Sequence, residues 1–285
     1  MPPEAPEPPS VLDLIGEAAP RFTAAERQVA RVVADDPKVV AFGTVAELAE
    51  LSNTSGPTVL RFAGKLGFAG FVELQAAVQE EIADQLRPAT QRIRERSTGD
   101  VLAQVLHADL ENVRRTIESI DAKDFRDTIE LVADRRHRVF VLAGELSGAP
   151  ARMLAQQLDL LRDGVLLIDA PGPRVSRQLV DLDRGDLLVV LDLRRYERWI
   201  LDAVARADER GALVIALTDS RLSPLAAQAR YTFTIEARGI GPFDSAAGAM
   251  AFVHAFVAAV ARRLRRSATG RLDEIEASWS GDLVG

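Results

Sequence analysis

The chain contains no cysteine, which excludes disulfides, thiolate metal sites and cysteine nucleophiles together. Its three histidines, His107, His137 and His254, stand far apart without a metal-ligand spacing. Neither a zinc site nor histidine catalysis is therefore expected, and no cofactor is implied. No apolar run approaches the roughly 20 residues that a membrane span requires. The opening MPPEAPEPPS has neither the charged nor the apolar region of a signal peptide. A soluble, cytoplasmic protein without a membrane partner is the expectation. The net charge of −7 argues against a general polycation, so any nucleic-acid contact has to come from a local surface.

What is present is enough apolar material for a real core: 47% of the 285 residues are hydrophobic and 27% charged. At ~100 to 200 residues per domain, that length predicts one large domain or two modest ones. Residues 1–10 are almost all Pro, Glu and Ala and read as a tail that does not pack. From Val11 to Leu86 apolar residues recur three and four apart, broken at Asp35-Asp36-Pro37, Phe42-Gly43-Thr44 and Leu51 to Gly56. This pattern predicts an all-α domain over 11–86. The Arg-rich stretch with Pro88 and Ser97-Thr98-Gly99 reads as a linker over 87–100.

Beyond the linker come helical patterns at Val101 to Ile120 and Asp124 to Asp134, and then the texture changes. Short β-branched runs at 139–143, 165–169, 187–193, 213–218 and 231–235 alternate with helical segments at 149–162, 174–182 and 196–210 and a short one from Ser223. A long helix follows at 244–266. Apolar strands alternating with helices predict a five-stranded parallel sheet covered on both faces, a doubly wound α/β domain over 101–268. The polar tail, 269–285, is assigned no fold.

The sharpest local signal is TVAELAELSNTSGPTVLRFAGKLGF, Thr44 to Phe68. Thr44 and Glu47 form a capping-box pair, and Ala46, Leu48 and Ala49 supply a buried face. After the polar break Leu51 to Thr54, Ser55 is placed to cap a second helix with Pro57 in its first turn. Val59, Leu60, Phe62, Ala63 and Leu66 are its apolar stripe. Two short helices joined by a tight turn are the DNA-reading unit, whose second helix enters the major groove. Thr58, Arg61 and Lys65, three and four apart, project from one face of that helix, in a window free of acid from Glu50 to Glu73. A packed helical hairpin with a solvated Arg and Lys satisfies the same spacing.

The Ala-Glu-Leu-Ala of the first helix, the Thr-Val-Leu-Arg-Phe of the second and the Lys-Leu-Gly-Phe-Ala-Gly-Phe after it resemble the N-terminal domain of RpiR-type bacterial transcriptional regulators. The resemblance covers Phe22 to Glu81 most closely and extends over roughly 11–268. It implies that Ser55, Pro57, Thr58, Arg61 and Lys65 sit at double-stranded DNA. It also implies that the second domain is a SIS (sugar isomerase) fold, with flavodoxin-like strand order, in a homodimer or homotetramer.

In that strand order, ligands bind beyond the strand ends where the loops after the first and third strands diverge. Those loops are Gly144-Glu145-Leu146-Ser147-Gly148 and Asp192-Leu193-Arg194-Arg195-Tyr196. Ser147, at a helix start, suits a phosphate seat and matches the family's phosphate-contacting Ser; it equally suits a simple helix cap. Family members that grip sugar phosphates carry a Gly-rich first turn and a Ser-x-Ser-Gly-x-Thr run after the third strand. Here Glu145 and the Arg194-Arg195-Tyr196 turn replace them, and the chain resembles a subgroup with an Arg-Arg-Tyr turn. Two Args at a helix start oppose the macrodipole. Either an anionic effector or Asp192, Glu197 or Glu145 as ion-pair partner offsets that cost. The expected site is thus Gly144, Ser147, Gly148, Asp192, Arg194, Arg195 and Tyr196, holding a small anionic metabolite such as a sugar phosphate or sugar acid.

A glycine-containing turn is expected at Gly239 to Ser245, with Asp244 or Ser245 capping the next helix. His254 is expected in the core or at an interface. Asp134 to Arg138 reads as a solvated helix end. The functional expectation is an effector-responsive DNA-binding regulator. A SIS-fold isomerase or lyase with an accessory helical domain is the alternative, with Glu145 as its only evident base. A regulator whose α/β domain only dimerises remains a third reading.

Overall fold

The computed structural model describes residues 11–35, 37–85, 89–94, 99–168, 172–194, 196–221 and 223–279. The chain divides into two units, Met1–Arg87 and Pro88–Gly285. The first tail, Arg87, Arg96 and Arg195 fall outside the described residues.

The first unit is helical: α1 (Val11–Ala18), α2 (Ala24–Asp35), α3 (Lys38–Phe42), α4 (Val45–Leu51), α5 (Gly56–Lys65) and α6 (Phe71–Gln85). The Thr44–Glu47 capping box is fully formed at the start of α4. The chain turns between α4 and α5 at Asn53, whose φ of 49° is a conformation that Asn tolerates better than most residues. α5 ends in a Schellman motif: Gly67, at φ 96°, donates to Gly64 O, and Phe68 donates to Ala63 O. That geometry explains why the helix stops at the Leu-Gly-Phe run. The core gathers Val29, Val33, Val40, Leu48, Val59, Phe62 and Leu74 from these helices. Phe22 and Phe62 pack with ring centroids 5.3 Å apart. Ala46 and Leu60, both expected inside, are exposed, because the narrow contact face of each short helix is filled by its neighbours Leu48, Ala49, Val59 and Phe62.

The second unit opens with a single helical turn, α7 (Ala89–Arg92), within the stretch expected to be linker. It continues through α8 (Val101–Glu118) and α9 (Ala122–Ala133) into the alternating region. There β1 (Val139–Ala143), α10 (Gly148–Leu161), β2 (Val165–Ile168), α11 (Pro173–Val180), β3 (Leu187–Leu191), α12 (Arg198–Glu209), β4 (Leu213–Thr218) and β5 (Tyr231–Thr234) follow in turn, then α13 (Ala247–Arg263). The strands pair in parallel in the order β2-β1-β3-β4-β5. β1 and β3 are buried along their whole length. Alternate residues feed two cores: Val139, Val141, Leu187 and Val189 face α9, α10 and α13, while Phe140, Leu142, Leu188 and Val190 face α11 and α12.

Several local expectations are corrected. The chain after 268 is not without structure: α14 (Arg265–Trp279) buries Ala268, and Arg271 donates to Asp159 O of α10 at 2.8 Å. Its apolar residues are too sparse for a periodic signal, and the long-range bond is invisible locally. The short helix expected from Ser223 is a 3₁₀ turn, Ala226–Gln228. His254 is exposed on α13 and so is not in the core of the chain, one of the two places expected for it. Arg135, Arg136 and Arg138 are ion-paired with Asp163, Asp134 and Asp186 rather than simply solvated. Arg162, 1% exposed, bonds the carbonyls of Val132, Asp134, His137 and Asp163. It thereby satisfies the last carbonyls of α9. Among the described residues no single helix is long and apolar enough to cross a membrane.

Candidate functional site

The helix-turn-helix presents α5 with its N-terminal half open. Ser55, Pro57, Leu60 and Arg61 are exposed. Ser55 makes no side-chain bond to the helix backbone; its hydroxyl lies 2.9 Å from Thr58 Oγ1. Thr58 is 5% exposed and so does not share the outer face expected of it. It lies at the inner margin of the face that carries Arg61, where it accepts from Arg61 Nη2 at 3.1 Å and holds that side chain in place. Lys65 Nζ is committed at the far end of the helix, donating to Glu26 at 2.7 Å and Arg21 O at 2.8 Å. Glu26 is 2% exposed. Burial alone would raise its carboxyl, but Lys65 and the Thr23 N–H and hydroxyl outweigh it and hold the group at about 2. Lys65 therefore anchors α5 to α2, a partner 39 residues away that no local pattern signals. Leu60, expected in the apolar stripe of α5, is 48% exposed beside Arg61.

In the second unit, Gly144 leaves β1 and Asp192 leaves β3, each N–H bonding the next strand, Gly144 to Leu191 O and Asp192 to Leu217 O. A Cβ on Gly144 would lie 2.6 Å from Asp192 Oδ1 and 2.7 Å from Glu197 Oε1, so any larger residue would have to push these carboxylates aside. Glu197 Oε1 accepts the Glu145 N–H at 2.5 Å, Oε2 accepts Trp199 Nε1 at 2.5 Å, and the Glu197 N–H donates to Asp192 Oδ2 at 2.9 Å. Asp192 is 3% exposed. Burial pushes its carboxyl up to about 7, with the Glu197 and Asp219 charges adding and the Glu197 N–H pulling back. Tyr196 donates to Asp219 at 2.8 Å, and burial together with that charge raises its phenol.

Ser147 is 3% exposed and makes no side-chain cap at α10, so capping does not account for it. Gly148 begins that helix. Arg194, in the left-handed region at φ 59°, reaches Asp244, with Nε 3.4 Å from Oδ1. That acid is not among the three expected from the local sequence. Asp244 stands 50 residues further on, in the turn before α13. The same carboxylate accepts Arg92 Nη1 at 2.6 Å, and Arg92 Nε is buried without a hydrogen-bond partner. Arg92 belongs to the stretch expected as linker, and only the fold brings it to the crevice. The Gly239–Ser245 segment is the tight turn expected: a Cβ on Gly239 would lie 1.8 Å from Phe243 O, and Gly241 has φ 92°. Ser245 accepts the Ala247 N–H of α13 and donates to Asp109 of α8 at 2.5 Å. Among the described residues, no group of three or more His, Cys, Asp or Glu is placed to hold a metal ion.

Known proteins give these two sites a common context. Residues 10–85 match the helix-turn-helix domain of the rpiR family, and residues 132–259 match the SIS domain. An uncharacterised HTH-type transcriptional regulator of Caldanaerobacter subterraneus subsp. tengcongensis is 27% identical over 225 residues, 76% of each chain. The HTH-type transcriptional regulator HexR of Pseudomonas aeruginosa is 27% identical over 224 residues, 76% of this chain and 75% of its own. The sugar isomerase domain of an RpiR transcription factor from Sphaerobacter thermophilus is 28% identical. It superposes with a TM-score of 0.59, covering 63% of this chain and 99% of that one. NanR of Vibrio vulnificus, solved in complex with ManNAc-6P, shares the fold at 20% identity and a TM-score of 0.56, over 97% of this chain and 100% of its own. With its reading helix, its parallel sheet and both domain matches in the same order, the chain belongs to the rpiR family of transcriptional regulators, a helix-turn-helix domain followed by a SIS domain.

Proposed function

We propose that this regulator reads duplex DNA through the N-terminal half of α5, as a symmetric pair of chains on a site with two-fold related halves. The observation that carries the reading is Arg61, exposed at the open end of α5 and braced by Thr58. A guanidinium there suits the O6/N7 edge of guanine, and Leu60 beside it suits a thymine methyl. Ser55 and Pro57 flank the helix start, where N–H groups meet phosphate. Lys65 contributes by fixing the helix rather than by extending toward DNA. One reading helix with a single free-reaching Arg is too small a contact for operator affinity, and pairing supplies both affinity and spacing. In a DNA titration, Arg61→Ala should weaken binding to the regulator's own upstream region by about 1 to 3 kcal/mol. Unchanged affinity would remove α5 as the reader.

The SIS domain, in the same reading, senses a small anionic metabolite, a sugar phosphate or sugar acid. Two guanidiniums, Arg92 and Arg194, converge on the carboxylate of Asp244, and Arg92 Nε is buried there without a hydrogen-bond partner, a donor that a ligand oxygen would satisfy. NanR, with ManNAc-6P in a chain of the same fold, supports the ligand class. Arg195 and Ser147 belong to the same proposed site. Catalysis is not part of the proposal. Asp192 has a pKa near neutrality, as a general acid or base would, but it is enclosed and already engaged by the Glu197 N–H. The purified protein is expected to show no aldose-ketose isomerase turnover on phosphosugars, and turnover abolished by Glu145→Gln would establish the enzyme instead.

A further inference from the structure

α8 is amphipathic in reverse. Its inner face is polar: Asn112 bonds both Arg238 O, at 2.8 Å, and Arg238 N, at 3.1 Å. Thr116 Oγ1 accepts the Glu236 N–H at 2.9 Å, and Asp109 accepts from Ser245. Its outer face is aliphatic. Val101 is 56% exposed, Leu102 80%, Val105 39%, Leu106 62%, Leu110 62% and Ile117 40%. A helix of a water-soluble domain ordinarily buries its apolar stripe and solvates its polar one. These six side chains expose on the order of 500 Å², the size of patch that marks an interaction site and more than half of the ~800 Å² that each partner brings to a standard dimer.

From this we infer that the N-terminal half of α8 is a two-fold interface with α8 of a second copy of the chain, crossing at Leu106. Leu102 and Leu110 lie four residues to either side of Leu106, so a dyad there lays Leu102 of one copy on Leu110 of the other. The three leucines form one i±4 ridge, and such ridges interdigitate at about −50°. An isologous contact requires a patch complementary to itself, and this one carries no charge that pairing would strand. Between Val101 and Leu110 the only acidic or basic side chain besides His107 is Asp109, which is turned inward to Ser245. The proposal rests on the reading that the regulator works as a pair, and it names the surface that makes the pair. It also places the interface beside the effector crevice, since the turn that binds Asp109 through Ser245 binds Arg92 and Arg194 through Asp244.

The test uses the full chain and its lack of native cysteine. In sedimentation, the wild type should be at least dimeric, and Leu106→Glu, which sets two carboxylates face to face across the dyad, should weaken association at least 100-fold with an unchanged circular dichroism spectrum. Should Leu106→Glu misfold, Leu106→Cys reports independently. Mild oxidation should convert it to a covalent dimer, while Val180→Cys, 61% exposed on α11, stays uncrosslinked. A wild type that associates while Leu106→Glu associates equally well, or while Leu106→Cys does not crosslink, overturns this interface and leaves pairing intact. A wild type that is monomeric at every concentration overturns the interface and the pairing together.

Discussion

Asp192 binds a proton in the folded state that it does not bind when unfolded. Its carboxyl moves from an ordinary 3.8 to about 7 because it is buried at the end of β3 beside Glu197 and Asp219. Where the native state holds more protons than the unfolded state, stability falls as pH rises. Asp192 therefore costs the sheet unit stability progressively between pH 3.8 and about 7, and in full above that. Asp192→Asn keeps an oxygen for the Glu197 N–H and removes the charge. Its melting temperature should exceed that of the wild type at pH 8, and the advantage should vanish near pH 4. A variant less stable at both pH values would show that the ionised carboxylate is needed where it stands. Glu26 runs the other way: held at about 2, it stabilises the helical unit above its ordinary 4.5 and loses that contribution as pH falls toward 2.

At the scale of elements, α14 is the test of how much the C-terminal chain matters. It follows α13 after Leu264, buries Ala268, partly covers Leu272, and ties Arg271 to Asp159 of α10. Ending the chain after Leu264 exposes apolar surface worth about 2 to 3 kcal/mol. For a unit of this size that lowers the melting temperature by roughly 5 to 10 °C. A truncated chain that melts with the wild type would mean that α14 contributes nothing to the core. The elements that sequence reading locates well are those whose signal is local. β1 and β4 are bounded by changes in β-branched density at the residues the structure confirms, and the α4 cap is spelled by Thr44 and Glu47. What it misses is set at a distance. Arg92 reaches Asp244 across 152 residues and Lys65 reaches Glu26 across 39, so neither a linker Arg nor a surface Lys announces its partner. Thr58 and Leu60 sit at the margin of a helical face, where one step of rotation exchanges inside for outside.

For the whole molecule, a metabolite can alter DNA binding only by its differential affinity for two arrangements of the pair, and DNA must then alter metabolite affinity by the same factor. Replacing both Arg194 and Arg195 by Ala should abolish that coupling while ligand-free DNA binding stays nearly intact. The fold should survive, because Arg92 still holds Asp244 at 2.6 Å when Arg194 is gone. Gel-shift titrations with and without the candidate phosphosugar read both quantities. A double variant that still responds assigns the effector to other residues, and one that unfolds makes the arginines structural.

The sheet of the second unit lacks an edge strand and the cover of one face until β5 and α13 have been made, whereas the buried core of the helical unit lies between Val11 and Val78. Chains leave the ribosome at roughly 5 to 20 residues per second, and N-terminal domains fold first. The reading helix is thus complete roughly 10 to 40 s before residue 285 is translated. Throughout that interval a nascent chain carries a finished α5 but has no finished sheet unit on which a second copy can dock. Under the pairing and the metabolite sensing proposed above, the demand for two reading helices keeps half-made protein off the operator, so that only chains able to hear the metabolite are able to speak to the gene.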